Sequence, residues 1–399
     1  MAITSSPMDA AASRPRPADS LGAARRLRVV VVLLKLAGGG AERLVLDVLR
    51  SLPPSIERVL LLIRREGPYL EEIPADVRVA FVAEPGVRLL PAAPRMMGML
   101  RRLCTWADVV VGGMEEDATY AAFVGGLLSR RPVVGWVHTS LEPYIRLVSP
   151  LARHPVRWLY PRLAAVVCPS QGAARALQAV AAVPAHRLHV IPNLVDTARI
   201  SRMATEAIPA GMTSVFGRPV VVGVGRLYRY KGFDLVLKAH RALRLQGLDH
   251  HLLLLGDGPE APALRALARG LGVEASVFMP GFVPNPYPLV RSARVLALPS
   301  RLESFSMVLL EAMTLGVPVV AADCCCGPAE LLDGGRYGLL VQEDDATALA
   351  GALARVLTDD ALARTLAREG QERAAMYAAG RVIPQWERLF TKLAGGGRP

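Results

Sequence analysis

Apolar residues along this chain of 399 residues fall into short, nearly unbroken runs separated by longer stretches with helical spacing. The runs at 29–34, 59–63, 77–82, 109–111, 133–137 and 166–168 are rich in Val, Leu and Ile and scarcely alternate with polar residues. A strand wetted on one face alternates, whereas one covered on both faces does not, so these runs predict parallel strands sandwiched between helices. A second series follows at 220–224, 252–255, 277–279, 295–298, 319–321 and 338–341. The pattern is that of a duplicated α/β plan, each half a Rossmann-like sheet. Between the halves, residues 191–196 (Ile-Pro-Asn-Leu-Val-Asp) and the polar stretch after them read as a linker.

The ends of the chain follow different rules. Residues 1–26 are rich in Ala, Ser and Pro with scattered Arg and predict a disordered leader. The run at 29–34, preceded by Arg25, Arg26 and Arg28, imitates a secretory signal, but its apolar core is too short and leads into a glycine loop, so it is read as the first strand. No apolar run reaches the roughly 18 to 20 residues needed to span a bilayer. The expected domains are 27–195 and 196–375, followed by a final segment, 376–399. In that segment Trp386, Leu389 and Phe390 mark an amphipathic helix that Pro384 is expected to start, with a flexible Gly-rich tail from residue 395.

Two segments carry the chemistry. In residues 299–311, Pro-Ser-Arg-Leu-Glu-Ser-Phe-Ser-Met-Val-Leu-Leu-Glu, two carboxylates flank a helix start. Ser304 and Ser306 are both candidates to cap that helix, and Gly316 followed by Pro318 ends it. A helix N-terminus offers free N–H groups and a partial positive charge to phosphate. Glu303 is placed in the loop facing that mouth, and Glu311, further in, is suited to a pair of neighbouring hydroxyls. On one helix the two carboxylates would stand roughly 12 Å apart, too far for the usual glycosidase pair. The second segment, 219–225, is a buried strand running into a glycine turn, followed by Arg226 and Lys231. These two cations bracket a turn and can meet one diphosphate, Arg226 through its fork and Lys231 as a point charge. Phosphate and diol recognition together suggest a nucleotide.

Those two segments belong to an ordered series: GGGAER at 38–43, VIPN at 190–193, GVGRLYRYKG at 223–232, GDGP at 256–259, PGF at 280–282, the Glu303/Glu311 segment and CGPAELL at 326–332. The series, covering roughly residues 27–390, resembles family 4 of the glycosyltransferases, retaining enzymes that use nucleotide-sugar donors. The resemblance implies an α/β GT-B fold, two facing Rossmann-like domains with a deep interdomain cleft. The donor would bind mainly to the second half. It further implies His138 near the donor sugar, Arg226 and Lys231 on the leaving diphosphate, and Glu303 on the sugar hydroxyls as the catalytic set. Gly39, Gly40, Gly225, Gly256, Gly258, Phe282, Phe305, Ser306 and Glu311 complete the donor site. UDP is favoured over GDP, and no cofactor or metal is expected, because the cations stand where a metal would and no Asp-x-Asp motif appears. One departure from the family is the run Cys324 to Cys326, expected to fill a tight turn. Alternatives kept open are another GT-B enzyme, such as a sugar-nucleotide epimerase or a phosphorylase, and a non-catalytic sugar-nucleotide-binding protein. A dinucleotide oxidoreductase is disfavoured, since Lys35-Leu-Ala-Gly-Gly-Gly lacks the spaced glycine fingerprint.

Composition then narrows the setting. With 52% hydrophobic and 21% charged residues the chain is too apolar to stay disordered. Five cysteines give no disulfide framework, which fits a reducing, cytoplasmic setting. The net charge of +12 is uneven: 24 basic against 15 acidic side chains up to residue 195, and 23 against 20 beyond it. Aromatic residues make up 5% and no nucleic-acid motif is present, so nucleic acid is not the expected partner. An anionic membrane surface at the inner face of the cell membrane is, since basic and apolar residues interleave twice. The first stretch is 94–106, with Met96, Met99, Leu100 and Leu103 on one helical side. The second runs from Tyr144 through Arg146, Leu147, Arg153, Arg157, Trp158 and Tyr160 to Arg162. The acceptor expected beside it is a glycan or a lipid-linked sugar.

Overall fold

A computed structural model describes residues 25–87, 89–141 and 153–396. The leader expected at 1–26, apart from Arg25 and Arg26, lies outside the described residues, as do Tyr144, Arg146 and Leu147 of the second basic stretch and the last three residues of the tail.

Both series of apolar runs form parallel sheets. The first contains β1 (Leu27–Leu33), β2 (Ile56–Arg64), β3 (Arg78–Ala83), β4 (Val109–Gly112), β5 (Val133–Trp136), β6 (Ala165–Cys168) and β7 (Leu188–Val190) in the order β3-β2-β1-β4-β5-β6-β7. Val29 pairs with Arg58 on one side and with Val109 on the other. The second contains β8 (Val220–Val224), β9 (His251–Leu255), β10 (Val277–Gly281), β11 (Val295–Leu298), β12 (Val319–Ala322) and β13 (Leu339–Val341) in the order β10-β9-β8-β11-β12-β13. Packing groups the described residues into two compact units, those within Met1–Trp136, Leu163–Ala165 and Glu387–Pro399, and those within Val137–Arg162 and Val166–Trp386.

The second sheet shows why its strands lack polar alternation. Val220, Val222, Leu253, Leu255, Leu296 and Leu298 belong to one apolar cluster. Their neighbours Val221, Leu252, Leu254, Val295 and Ala297 belong to another. Successive side chains point to opposite faces and both faces are covered, so every position is apolar. Helices supply the cover. In α1 (Gly40–Ser51), α2 (Leu89–Trp106) and α3 (Asp117–Ser129) of the first unit, Leu44, Leu49, Leu100, Leu103 and Ala122 are buried. Burying each of the larger ones is worth about 1.5–3 kcal/mol. Leu100 and Leu103 are 0% and 4% exposed, so half of the apolar side expected to meet a membrane faces protein instead.

The structure departs from the sequence reading at three places. β7 is an edge strand, half-buried throughout, and its Leu-His-Val sequence carries no apolar run to betray it. The supposed linker is packed: Leu194 and Val195 are 0% and 1% exposed, and the Val195 amide bonds the Tyr377 carbonyl at 3.0 Å. Asp196 then caps the helix Thr197–Met203 by accepting from the Arg199 amide at 2.9 Å. The last helix, Ala379–Gly395, starts five residues before Pro384 and carries it inside. A proline there forfeits one backbone hydrogen bond, which burial of Val382, Ile383, Trp386 and Phe390 offsets.

A buried polar chain lies beneath the second sheet. His250 Nδ1 donates to the Leu248 carbonyl at 2.9 Å, His250 Nε2 meets His240 Nδ1 at 2.8 Å, and His240 Nε2 meets Ser276 Oγ at 2.8 Å. His240 and His250 are each 1% exposed. Burial, with a smaller contribution from His250, pulls the His240 ring from 6.5 to about 3, and burial likewise lowers His250. The folded chain therefore keeps His240 neutral where the unfolded chain takes up a proton. Stability is present above about pH 6.5 and falls as pH drops toward 3, by about 1.4 kcal/mol per pH unit. From pH 7 to pH 5 the loss from this ring is about 2 kcal/mol. Thermal unfolding of wild type and His240→Gln across that range checks it. The variant should lose the contribution of one proton, and parallel pH profiles would remove His240 as its source.

Candidate active site

The site begins where β8 ends. The Gly225 amide donates to Leu255 O at 2.9 Å, and Gly256, at φ +132°, lies so close that a Cβ there would stand 2.0 Å from the Gly225 carbonyl oxygen. A Cβ on Gly258 would stand 2.5 Å from the Leu227 carbonyl. The glycines at 256 and 258 thus let two strand-end loops pass backbone against backbone. Beyond them Arg226 is exposed, its guanidinium 5.3 Å from the Tyr228 ring and 3.4 Å from the Tyr230 hydroxyl. A short 3-10 turn, Arg229–Lys231, brings Lys231 Nζ to 5.6 Å from the same Tyr230 ring. Both predicted cations therefore flank one tyrosine.

Gly232, at φ +69°, turns the chain into the helix Phe233–Leu245, and this turn is held to the loop after β11. Arg301 grips Asp234 with both terminal nitrogens, at 2.9 and 3.1 Å, and donates to the Arg229 carbonyl at 2.8 Å, while its amide bonds Tyr230 O at 2.7 Å. Burial acts to raise the Asp234 carboxyl, but the hydrogen bonds and charge of Arg301 bring it below its usual value. The clamp presents Lys231 to Glu303. Nζ lies 2.6 Å from Glu303 Oε1, and Ser300 Oγ donates to that same oxygen at 2.9 Å. Glu303 is 9% exposed, so this is a nearly buried, charge-assisted pair.

Three residues on, the helix Met307–Thr314 opens differently from the expected serine cap. Ser306 occupies the cap position at φ 68°, makes no side-chain cap, and leaves a buried hydroxyl without a partner among the described residues. A capping residue typically has a β-region backbone, and the left-handed φ of Ser306 departs from it. Ser304 does not cap either, because its hydroxyl donates to the His138 carbonyl. The first-turn N–H groups, which have no partner within their own helix, keep their affinity for an anion. Glu311, half-buried on that helix, accepts from the Tyr287 hydroxyl at 3.2 Å.

The loop is fixed from behind by bonds within the same unit. Ser140 Oγ reaches Glu303 O at 3.3 Å, and Ser170 Oγ reaches Ser304 O at 2.7 Å and Cys326 O at 2.8 Å. A Cβ on Gly327 would fall 2.7 Å from the Phe305 amide nitrogen. Cys324 is buried, Cys325 exposed and Cys326 at φ 89°, so the chain bends at the cysteine run and only its first thiol is buried. The structure thus brings Lys231, Glu303, Ser306 and the His138 backbone to one loop system, with Arg226 beside Lys231 through Tyr230. Phe305 is 3% exposed and packs edge-on against Tyr377 at 5.3 Å, so only its backbone is free for a ligand. Phe282 is 63% exposed just after β10. Gly39 and Gly40 open the helix Gly40–Ser51 in the first unit, where a Cβ on Gly39 would meet the Glu42 carboxylate at 2.4 Å. The sequence reading missed Arg301, Asp234, Ser300 and Ser170. Arg301, two residues before Glu303, was the one with a local signal. Among the described residues no group of three or more His, Cys, Asp or Glu side chains is placed to hold a metal, and no helix is long and apolar enough to cross a membrane.

Residues 38–199 match the family described as Glycosyltransferase Family 4, and residues 206–373 match Glycosyl transferases group 1. The chain is 30% identical over 262 residues to alpha-D-kanosaminyltransferase of Streptomyces kanamyceticus, covering 62% of this chain and 67% of that one. It is 26% identical over 357 residues to the N-acetylgalactosamine-N,N'-diacetylbacillosaminyl-diphospho-undecaprenol 4-alpha-N-acetylgalactosaminyltransferase of Campylobacter jejuni, covering 87% and 94% of the two chains. With the exopolysaccharide phosphotransferase of Streptomyces coelicolor it shares 36% identity over 212 residues, 52% of this chain but 21% of that longer protein. In structure it resembles Anabaena HepE, solved in complex with UDP-glucose, at a TM-score of 0.78 and 22% identity, covering 92% of this chain and all of the other. The chain belongs to the family 4 glycosyltransferases and has their GT-B fold.

Proposed function

We propose that the protein transfers a sugar, with retention of anomeric configuration, from a UDP-sugar to a lipid-linked or polysaccharide acceptor in the making of a cell-envelope or extracellular glycan. The observation that carries this reading is the Lys231–Glu303 pair at 2.6 Å, set ahead of a helix mouth that no serine side chain caps. In the reaction the bond from the anomeric carbon to the diphosphate oxygen breaks as the bond to the acceptor oxygen forms on the same face. The acceptor proton passes to the departing phosphate oxygen. Negative charge grows on that oxygen, where Lys231, Arg226 and the first-turn amides of the helix Met307–Thr314 stabilise it by fixed electrostatics. Glu303 holds the sugar hydroxyls and favours the positive charge developing on the ring. The His138 ring stands beside the donor sugar, and no metal or other cofactor is needed, since two cations serve the diphosphate.

The relatives guide the choice of substrates. The Campylobacter relative carries a diphospho-undecaprenol acceptor in its name, and HepE was solved with UDP-glucose. The membrane contact we propose for the inner leaflet runs through Trp158, 55% exposed with the Arg162 guanidinium 4.6 Å from its ring, and the exposed Arg157. Screening UDP-, GDP- and ADP-sugars by thermal stabilisation, then reading the anomeric configuration of the product by NMR, tests the whole proposal. An inverted product, or stabilisation by none of the donors, would overturn it.

Glu311 is assigned to the ribose diol. A single hydrogen bond to a charged group is worth about 1.5–3 kcal/mol, so Glu311→Ala, which removes two, should weaken UDP binding by at least about tenfold in calorimetry. Equal affinity in wild type and variant would move the diol elsewhere.

A further inference from the structure

A concavity of about 370 Å³ lies at the amino ends of β8, β9 and β10, lined by Arg218, Arg241, Arg244, Asp249, His251 and Ser276 among others. Arg218 precedes β8 and Arg226 follows it, so about 16 Å of strand separates this pocket from the transferase site. Three guanidinium groups share it with one carboxylate. Arg218 and Arg244 both pair with Asp249, one on each of its oxygens. Arg241, one turn before Arg244 on the helix Phe233–Leu245, is half-buried, and its guanidinium has no hydrogen-bond or salt-bridge partner among the described residues. His251 donates from Nδ1 to the Val215 carbonyl at 2.7 Å, which fixes its ring in the wall. Ser276 adds a hydroxyl, 3.0 Å from Val273 O.

The charge balance of the pocket is +2, three guanidinium groups against Asp249. Three guanidinium groups gathered around one carboxylate repel one another unless an anion neutralises the surplus. A single carboxylate ligand would leave one charge uncovered, whereas a phosphate monoester carries close to two negative charges at pH 7. Its oxygens also match the planar fork of arginine. We propose that this pocket is a binding site for a phosphate monoester group, separate from the donor site, with Arg241 as the anchor. The volume exceeds what a bare phosphate fills, so the group is carried on a small molecule or on a lipid headgroup.

The test titrates the full chain with inorganic phosphate against chloride at constant ionic strength, with excess UDP present, and follows the melting temperature. Wild type should show a saturable rise with phosphate and none with chloride. Arg241→Gln should weaken the apparent affinity at least tenfold, Asp249→Asn should strengthen it several-fold by freeing Arg218 and Arg244, and Lys231→Ala should leave it unchanged. Should Arg241→Gln fail to fold, Arg218→Gln reads the same loss. Co-sedimentation with vesicles of phosphatidic acid, against phosphatidylcholine alone, separates the two sources. Binding to phosphatidic acid that needs Arg241, without a response to free phosphate, places the group on a membrane and upholds the site. A phosphate response that Lys231→Ala abolishes, or no dependence on Arg241 in either assay, overturns it.

Discussion

Lys231→Ala is expected to lower the turnover number for sugar transfer by about 10²–10³-fold, the usual consequence of removing one fixed donor from a developing negative charge. The ammonium group is held in place before any donor arrives. Glu303 Oε1 lies 2.6 Å from Nζ, the Arg301–Asp234 clamp fixes the turn that carries the lysine, and the Tyr230 ring lies under it at 5.6 Å. No reorganisation is then required when charge appears on the leaving oxygen. Because that charge is greater in the transition state than in the bound donor, turnover should fall more than the Michaelis constant rises. The substitution also leaves Glu303, 9% exposed, with Ser300 but no cation. Glu303→Gln in the alanine background should therefore recover melting temperature without recovering rate. Steady-state kinetics on the single and double variants checks both statements, and turnover within threefold of wild type would remove Lys231 from the reaction.

What the sequence disclosed, and what it withheld, follows from the range of the forces involved. Strands covered on both faces must be apolar at every position, so the runs at 220–224 and 295–298 announced β8 and β11 directly. β7 is an edge strand with a half-exposed Leu-His-Val sequence, and nothing local distinguishes it from a loop. Arg226, Lys231 and Glu303 were legible because charges at a strand end and beside a helix start have few structural reasons to be there. The serine cap failed because residue 306 takes a left-handed φ imposed by the loop around it, where Ser304 is bonded to the His138 carbonyl and Gly327 presses on Phe305. Ser170 was invisible for a related reason. Its partner, the Ser304 carbonyl, lies 134 residues away, and its own neighbourhood reads only as the cap of the helix Gln171–Val180. Phe305 sits inside a matching motif yet spends its side chain on Tyr377, a packing duty that position in a motif does not reveal.

Gly232→Ala should be the most damaging change of a single methyl group near the site. Gly232 adopts φ +69°, which costs an alanine about 1–2 kcal/mol. The added Cβ would also stand 2.0 Å from the Pro299 carbonyl oxygen, a backbone atom that no rotamer change can move aside. Pro299 leads directly into Ser300, Arg301 and Glu303, so relief requires the loop to retreat from the turn that carries Lys231. The expected loss is about 3 kcal/mol in all, from strain and overpacking together, or a melting temperature lower by about 6–12 °C. Transfer activity should fall even below that temperature, as Lys231 and Glu303 separate. Gly247→Ala supplies the comparison: that glycine has φ +80°, in the same unit, and an added Cβ would have no atom within 4 Å of it. It should show the backbone cost alone, about 1–2 kcal/mol, with unaltered turnover. Equal effects from the two substitutions would mean that the Pro299 loop yields freely, and the rigid presentation of Lys231 to Glu303 would have to be abandoned.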